Sequence, residues 1–288
     1  MKRLLPLLLT AAVLALGWLI NPTGQRLFGL PAVACVFVLV MALQVLGFAH
    51  AWWRRTEKLY DLFGSVSFVT AVVMALALSP RVGLYQSVLS AMVILWAVRL
   101  GTFLFQRVLE VGEDRRFRAI KQSFWSFLTI WTVQGVWVAV TSSAAVVAIL
   151  EPDQQPNWAI ASIGVALWFL GLLLEVVADR QKQRFRAEPA NAGHFIAHGV
   201  WAWCRHPNYF GEIVLWCGVF IAAAPVLVSW QWLTVLSPVL VVVLLTKVSG
   251  IPALARRGRN QWGNDPGYQD YLANTPLLVP RPFGRRRR

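Results

Sequence analysis

Charge is scarce in this sequence, and acidic charge scarcer still. Only 14% of the 288 residues are Asp, Glu, Lys or Arg, and 13 of them are acidic. With 57% hydrophobic content, the chain has too little polar surface for a water-soluble domain. Cysteine is nearly missing. The three cysteines, Cys35, Cys204 and Cys217, form no C-x-x-C pair, and two lie in or beside apolar runs, which excludes a disulfide framework or a thiolate zinc site. Also absent are the G-x-G-x-x-G and G-x-x-x-x-G-K-[ST] phosphate loops, the H-E-x-x-H zinc motif and the G-x-S-x-G nucleophile elbow. His194, His198 and His206 are neighbours without a carboxylate at fixed spacing, so no metal is assigned.

What the chain has in quantity is apolar runs. They occupy 4–20, 30–50, 60–78, 84–105, 124–150, 158–178, 209–228 and 232–248. Several approach or exceed the roughly 20 residues needed to cross a bilayer, and inside a bilayer a backbone of this kind satisfies itself as helix. The expected fold is an all-α, polytopic membrane bundle of about seven to eight transmembrane helices. The net charge of +14 then reads as cytoplasmic loop charge and not as a nucleic-acid surface. With the N-terminus inside, the inside segments hold every Lys and Arg except Arg26, Arg81, Arg99 and the boundary Lys247. The loop at 151–157, with two acids and no base, is outside. Both termini are expected in the cytoplasm, with the arginine run at 285–288 resting on anionic lipid.

Charges within the spans are few and one-sided. Asp61, Arg99, Glu175, Asp179 and Glu212 all fall in the cytoplasmic half, which points to a polar cavity open to the cytosol; singly, each is also explained as a snorkelling or paired residue. The densest stretch is 199–212, where Arg205, His206, Asn208, Tyr209 and Glu212 precede an apolar run. Pro207 fits a first helical turn, so the helix is expected to begin there, with Asn208 and Glu212 one turn apart on one face. Gly211 lets another backbone or a ligand come close. A ligand site and an interfacial anchor both account for the cluster. If the sixth helix runs past the bilayer, Glu175, Asp179, Gln183 and Arg186 share a face that suits ribose hydroxyls and phosphates. Near the C-terminus, residues 249–252 break the eighth helix. Tyr268 and Tyr271 then lie one turn apart on a short amphipathic helix, as a membrane anchor or a lid.

The run Arg205, His206, Pro207, Asn208, Tyr209, Phe210, Gly211, Glu212 resembles the signature of membrane sterol and steroid reductases and, more loosely, of isoprenylcysteine-type methyltransferases. The likeness is greatest to bacterial membrane proteins grouped with the steroid 5-alpha-reductases. Asp179, Lys182 and Phe185 resemble the A-D-x-Q-K-x-x-F pattern of that group. The resemblance implies two N-terminal spans over 1–58 and a reductase-like domain over 59–288 in a bacterial cytoplasmic membrane. It also implies NADPH as cofactor, held by Asp179, Lys182, Arg186, Arg205, His206, Asn208, Tyr209 and Glu212, with Arg99, Tyr268 and Tyr271 contributing. The implied activity is hydride transfer to a carbon–carbon double bond of an apolar enone entering from the bilayer, with Asp61 or Tyr60 hydrogen-bonding its carbonyl.

Three departures bear on the substrate. Tyr60 and Asp61 stand where steroid reductases carry a Gln-Glu pair, Trp96 stands near the position of a Tyr, and Ala255 where relatives often have Glu. A steroid and another lipid enone are equally open. An S-adenosylmethionine-dependent methyltransferase and a non-enzymatic membrane protein are the other two classes. The first shares the signature; the second leaves the one-sided acids unexplained.

Overall fold

A computed structural model describes residues 3–21, 25–111, 117–151 and 155–282. Residues 112–116 and the basic run at 285–288 lie outside the described residues. The helices are α1 (Leu5–Leu19), α2 (Ala32–Arg54), α3 (Tyr60–Leu78), α4 (Leu84–Val111), α5 (Phe124–Leu150), α6 (Trp158–Ala187), α7 (Pro207–Ala223), α8 (Leu236–Val243), α9 (Ile251–Trp262) and α10 (Pro266–Asn274). Among the described residues seven helical stretches are long and apolar enough to cross a membrane, and α1, apolar but 15 residues long, precedes them. The chain is a polytopic helical membrane protein.

Helix starts follow from local chemistry. Ser123 caps α5 by accepting from Ser126 N, and Asn157 caps α6 by accepting from Ala159 N at 3.0 Å. Asp265 caps α10 through Gly267 N at 2.8 Å, with Pro266 in the first turn. These side-chain acceptors satisfy N–H groups that a helix start leaves without partners.

Contacts divide the chain into two compact units, residues 1–163 with 219–237 and residues 164–218 with 238–288. This division follows packing, and its boundaries fall inside α6, α7 and α8; the sequence division at 58/59 follows family likeness. In the first unit α5 is the axis. Its second half is buried residue after residue from Thr141 to Leu150, and the small side chains at 141–145 let neighbours approach closely. Helices α1, α2 and α3 pack on α5, and α3 also packs on α4. Polar groups inside this unit find one another: Gln44 Nε2 donates to Ser67 Oγ at 2.8 Å, and Gln231 Nε2 to Glu151 Oε2 at 3.1 Å. Buried Glu57 pairs with Lys121 at 2.9 Å.

Candidate functional site

The second unit is built on two antiparallel helices whose backbones nearly touch. A Cβ added to Gly211 of α7 would lie 2.6 Å from Gly171 O of α6, and one added to Gly218 would lie 2.5 Å from Trp168 N. The close approach expected at Gly211 is therefore made by another helix. The same antiparallel register sets Asn208, one residue into α7, beside Asp179 on α6. Asn208 Nδ2 donates to Asp179 Oδ1 at 3.3 Å.

Helix α6 does run on to Ala187, and its extension carries the expected set. Glu175 and Asp179 are buried, Lys182 is half-buried and Arg186 exposed. The segment after it is pinned back onto that extension. Trp201 Nε1 donates to Ala178 O at 3.0 Å, and Gln181 Oε1 accepts from Val200 N at 3.0 Å. Gly199 has φ +61°, and a Cβ there would meet the Gln181 amide, which favours glycine at this turn. Lys182 Nζ sits 4.5 Å from the Trp201 ring centroid, a cation over an electron-rich face. Helix α7 begins at Pro207. The half-buried His206 and Tyr209 rings stack with centroids 5.6 Å apart, and Glu212 follows half-buried on α7.

The break expected at 249–252 is present as a π turn over Leu244–Val248 followed by α9. The tail beyond α10 then folds back onto the loop before α7. Arg205 N donates to Pro276 O and Arg281 N to Trp203 O, each at 2.9 Å. Tyr271 Oη donates to Trp201 O at 2.8 Å. Both α10 tyrosines turn toward protein: Phe195 packs against Tyr268, Tyr271 and Trp262 with centroids 5.0, 5.5 and 5.9 Å away. Sequence reasoning missed Phe195 as this hub, and missed Gln181 and Trp201 as the pins of the loop. The available signal was a lone Phe between Gly193 and Gly199, both of which have positive φ.

Two cations, Lys182 and Arg205, stand near a neutral imidazole. Burial, then Lys182 and Arg205, lower the His206 pKa to about 4, so the ring is neutral at pH 7. Burial pushes the Cys204 thiol up to about 11, which keeps it protonated, and burial likewise raises the Tyr271 phenol. Arg205 Nε and His206 Nδ1 are buried with no partner among the described residues. Such atoms are costly to leave unmade. Among the described residues no group of three His, Cys, Asp or Glu is placed for a metal ion.

Tyr60, Asp61 and Arg99 belong to the first unit. Tyr60 Oη donates to Ile130 O at 3.2 Å, and its ring packs on Phe117 and Trp131 at 4.9 and 5.2 Å. Asp61 is half-buried in the first turn of α3. The Arg99 guanidinium is 5.7 Å from the Phe103 ring centroid. Trp96 is buried edge-on against Phe68 at 5.1 Å.

Comparison with known proteins adds the following. The family DUF1295, described as proteins of unknown function, matches residues 47–275. The chain is similar to 3-oxo-5-alpha-steroid 4-dehydrogenase 1 of Rattus norvegicus, 29% identical over 118 residues that make up 41% of this chain and 40% of that protein. It is 31% identical to the Mus musculus protein of the same name over 120 residues, 41% and 40% of the two chains. The Homo sapiens counterpart is 36% identical over 62 residues, 21% and 24%. The matched part thus spans about 40% of the length of the rodent relatives. No solved structure matches. Because the family match takes in α3 to α10 without interruption, including every residue of the Asp179–Asn208 site, the chain belongs to the DUF1295 family.

Proposed function

We propose that this protein is a membrane-embedded, NADPH-dependent reductase acting on a carbon–carbon double bond conjugated to the ketone of a steroid-like or other lipid substrate. The observation that carries this reading is the likeness to enzymes whose name specifies a 3-oxo-5-alpha-steroid as the molecule acted on. The chemistry of the α6–α7 site supports it. Asn208, Glu212 and Asp179 offer the amide and carboxylate groups that suit a carboxamide and ribose hydroxyls. Lys182, Arg186 and Arg205 suit phosphates. His206, neutral beside two cations, accepts a hydrogen bond without adding charge. Tyr209 supplies an aromatic wall, while Tyr268 and Tyr271 brace the folded-back tail.

NADPH, when bound, supplies the hydride. The protein's task is to orient it and to steady the negative charge that develops on the ketone oxygen. Asp61 is the proposed partner of that oxygen, because the Tyr60 hydroxyl already donates to Ile130 O. The substrate enters from the bilayer, and the cofactor site faces the cytoplasm of a bacterial cell, where the basic tail lies on anionic lipid.

An S-adenosylmethionine-dependent methyltransferase shares the Arg205–Glu212 signature, so the test must separate the two cofactors. Thermal unfolding of the detergent-purified protein is measured with each at equal concentration. A ligand at a hundredfold its Kd stabilises by about 2.7 kcal/mol, a shift easily read. NADPH should raise the Tm and S-adenosylmethionine should not. The reverse pattern would replace the reductase with the methyltransferase.

A further inference from the structure

Residues 272–276, at the end of α10, line an open cavity of about 250 Å³ together with Arg205 and Arg281. Its walls are tied by main-chain hydrogen bonds from Arg205 N to Pro276 O and from Arg281 N to Trp203 O. Two cationic residues therefore stand on two tied segments. Among the described residues no acidic one lines the cavity, and Arg205 Nε is buried with no partner. The carbonyl end of α10 contributes roughly half a negative charge, which two guanidiniums outweigh. Lys182 adds to the positive field, since it and Arg205 both depress the His206 imidazole.

A ligand that matches these features is compact, strongly anionic and rich in acceptors. Guanidinium forks match the oxygens of a phosphate. Drug-sized ligands occupy roughly 300–1,000 Å³, so the cavity takes one end of a dinucleotide and not the whole. We infer that Arg205 and Arg281 form a subsite for a phosphate monoester, with Arg281 as the residue that sets cofactor preference. On the proposed function, on which this assignment of the ligand rests, the monoester is the 2′-phosphate that distinguishes NADPH from NADH.

The experiment measures NADPH and NADH dissociation constants by calorimetry on the full-length protein in detergent at low salt. The wild type should prefer NADPH by about tenfold or more, the size of a charge-assisted contact. Arg281→Gln should remove most of that preference and leave NADH affinity nearly unchanged. A preference that survives in Arg281→Gln overturns the assignment, as does a wild type that binds both dinucleotides equally. If neither dinucleotide binds, the reductase reading fails separately. The cavity is then judged by 2′,5′-ADP and by nanodiscs containing phosphatidate, which carry the same monoester from a nucleotide and a lipid source. Binding of either that is lost in Arg281→Gln sustains the subsite, and binding of neither overturns it. Arg281 is exposed, so its substitution leaves folding intact; Arg205→Gln is the confirming variant.

Discussion

His206 stands against two positive charges and carries none itself at neutral pH. Its pKa of about 4 in the folded protein compares with 6.5 for a free imidazole. Between these values the unfolded chain takes up a proton that the folded chain refuses. Stability therefore falls as pH drops from about 6.5 toward about 4. His206→Gln, which keeps a polar side chain without the titration, should flatten that slope in thermal unfolding at stepped pH. Parallel profiles would put the acid lability elsewhere. Asp61 is the residue proposed to face the substrate ketone. Asp61→Asn preserves shape but holds no exchangeable acid, and it should slow turnover about a hundredfold, the lower range for a lost proton-handling group, while NADPH affinity holds. Turnover at the wild-type rate would reduce Asp61 to a helix-end residue.

The α6–α7 pair is held by glycines, and its register is what brings Asn208 to Asp179. A side chain at Gly211 meets the backbone of Gly171 and Glu175, not a flexible tip. Gly211→Leu should therefore destabilise by about 1–3 kcal/mol or more, and it should weaken cofactor binding through lost register. Chemical unfolding of the variant in detergent checks this, and unchanged stability would mean the helices slide at no cost. Much at this scale was legible in the sequence. Pro207 marked the start of α7, Gly211 marked a close approach, the polar stripe beyond position 178 marked the extension of α6, and Gly250 with Pro252 marked the break before α9. Those signals are local, carried by one residue's backbone or by a period of a few positions. What stayed hidden depends on partners far apart in sequence. Tyr271 meets the Trp201 carbonyl 70 residues away, and Phe195 gathers three rings from α9 and α10. No periodicity encodes such pairings, and an anchor and a folded-back tail look alike until the contacts are seen.

For the whole molecule, the loop charges predict an orientation with both termini in the cytoplasm. Reporter fusions after Pro80, Gln154 and Ser229 should read outside, and those after Lys58, Arg118 and Ala190 inside. Exchanged signals at Gln154 and Ala190 would move the α6–α7 site to the far side of the membrane from cytosolic nucleotide. On the proposed function, this site at the ends of two glycine-packed helices holds NADPH. Titrating NADPH into purified wild-type protein and into Asn208→Ala, Glu212→Ala and Arg186→Ala tests that. Loss of one buried polar partner should weaken binding about tenfold to a hundredfold in the first two. Arg186→Ala should weaken it more at low salt than at high, because an exposed phosphate contact is screened. NADPH affinity unchanged in all three variants, or S-adenosylmethionine bound tightly by the wild type and lost in the same variants, would contradict it.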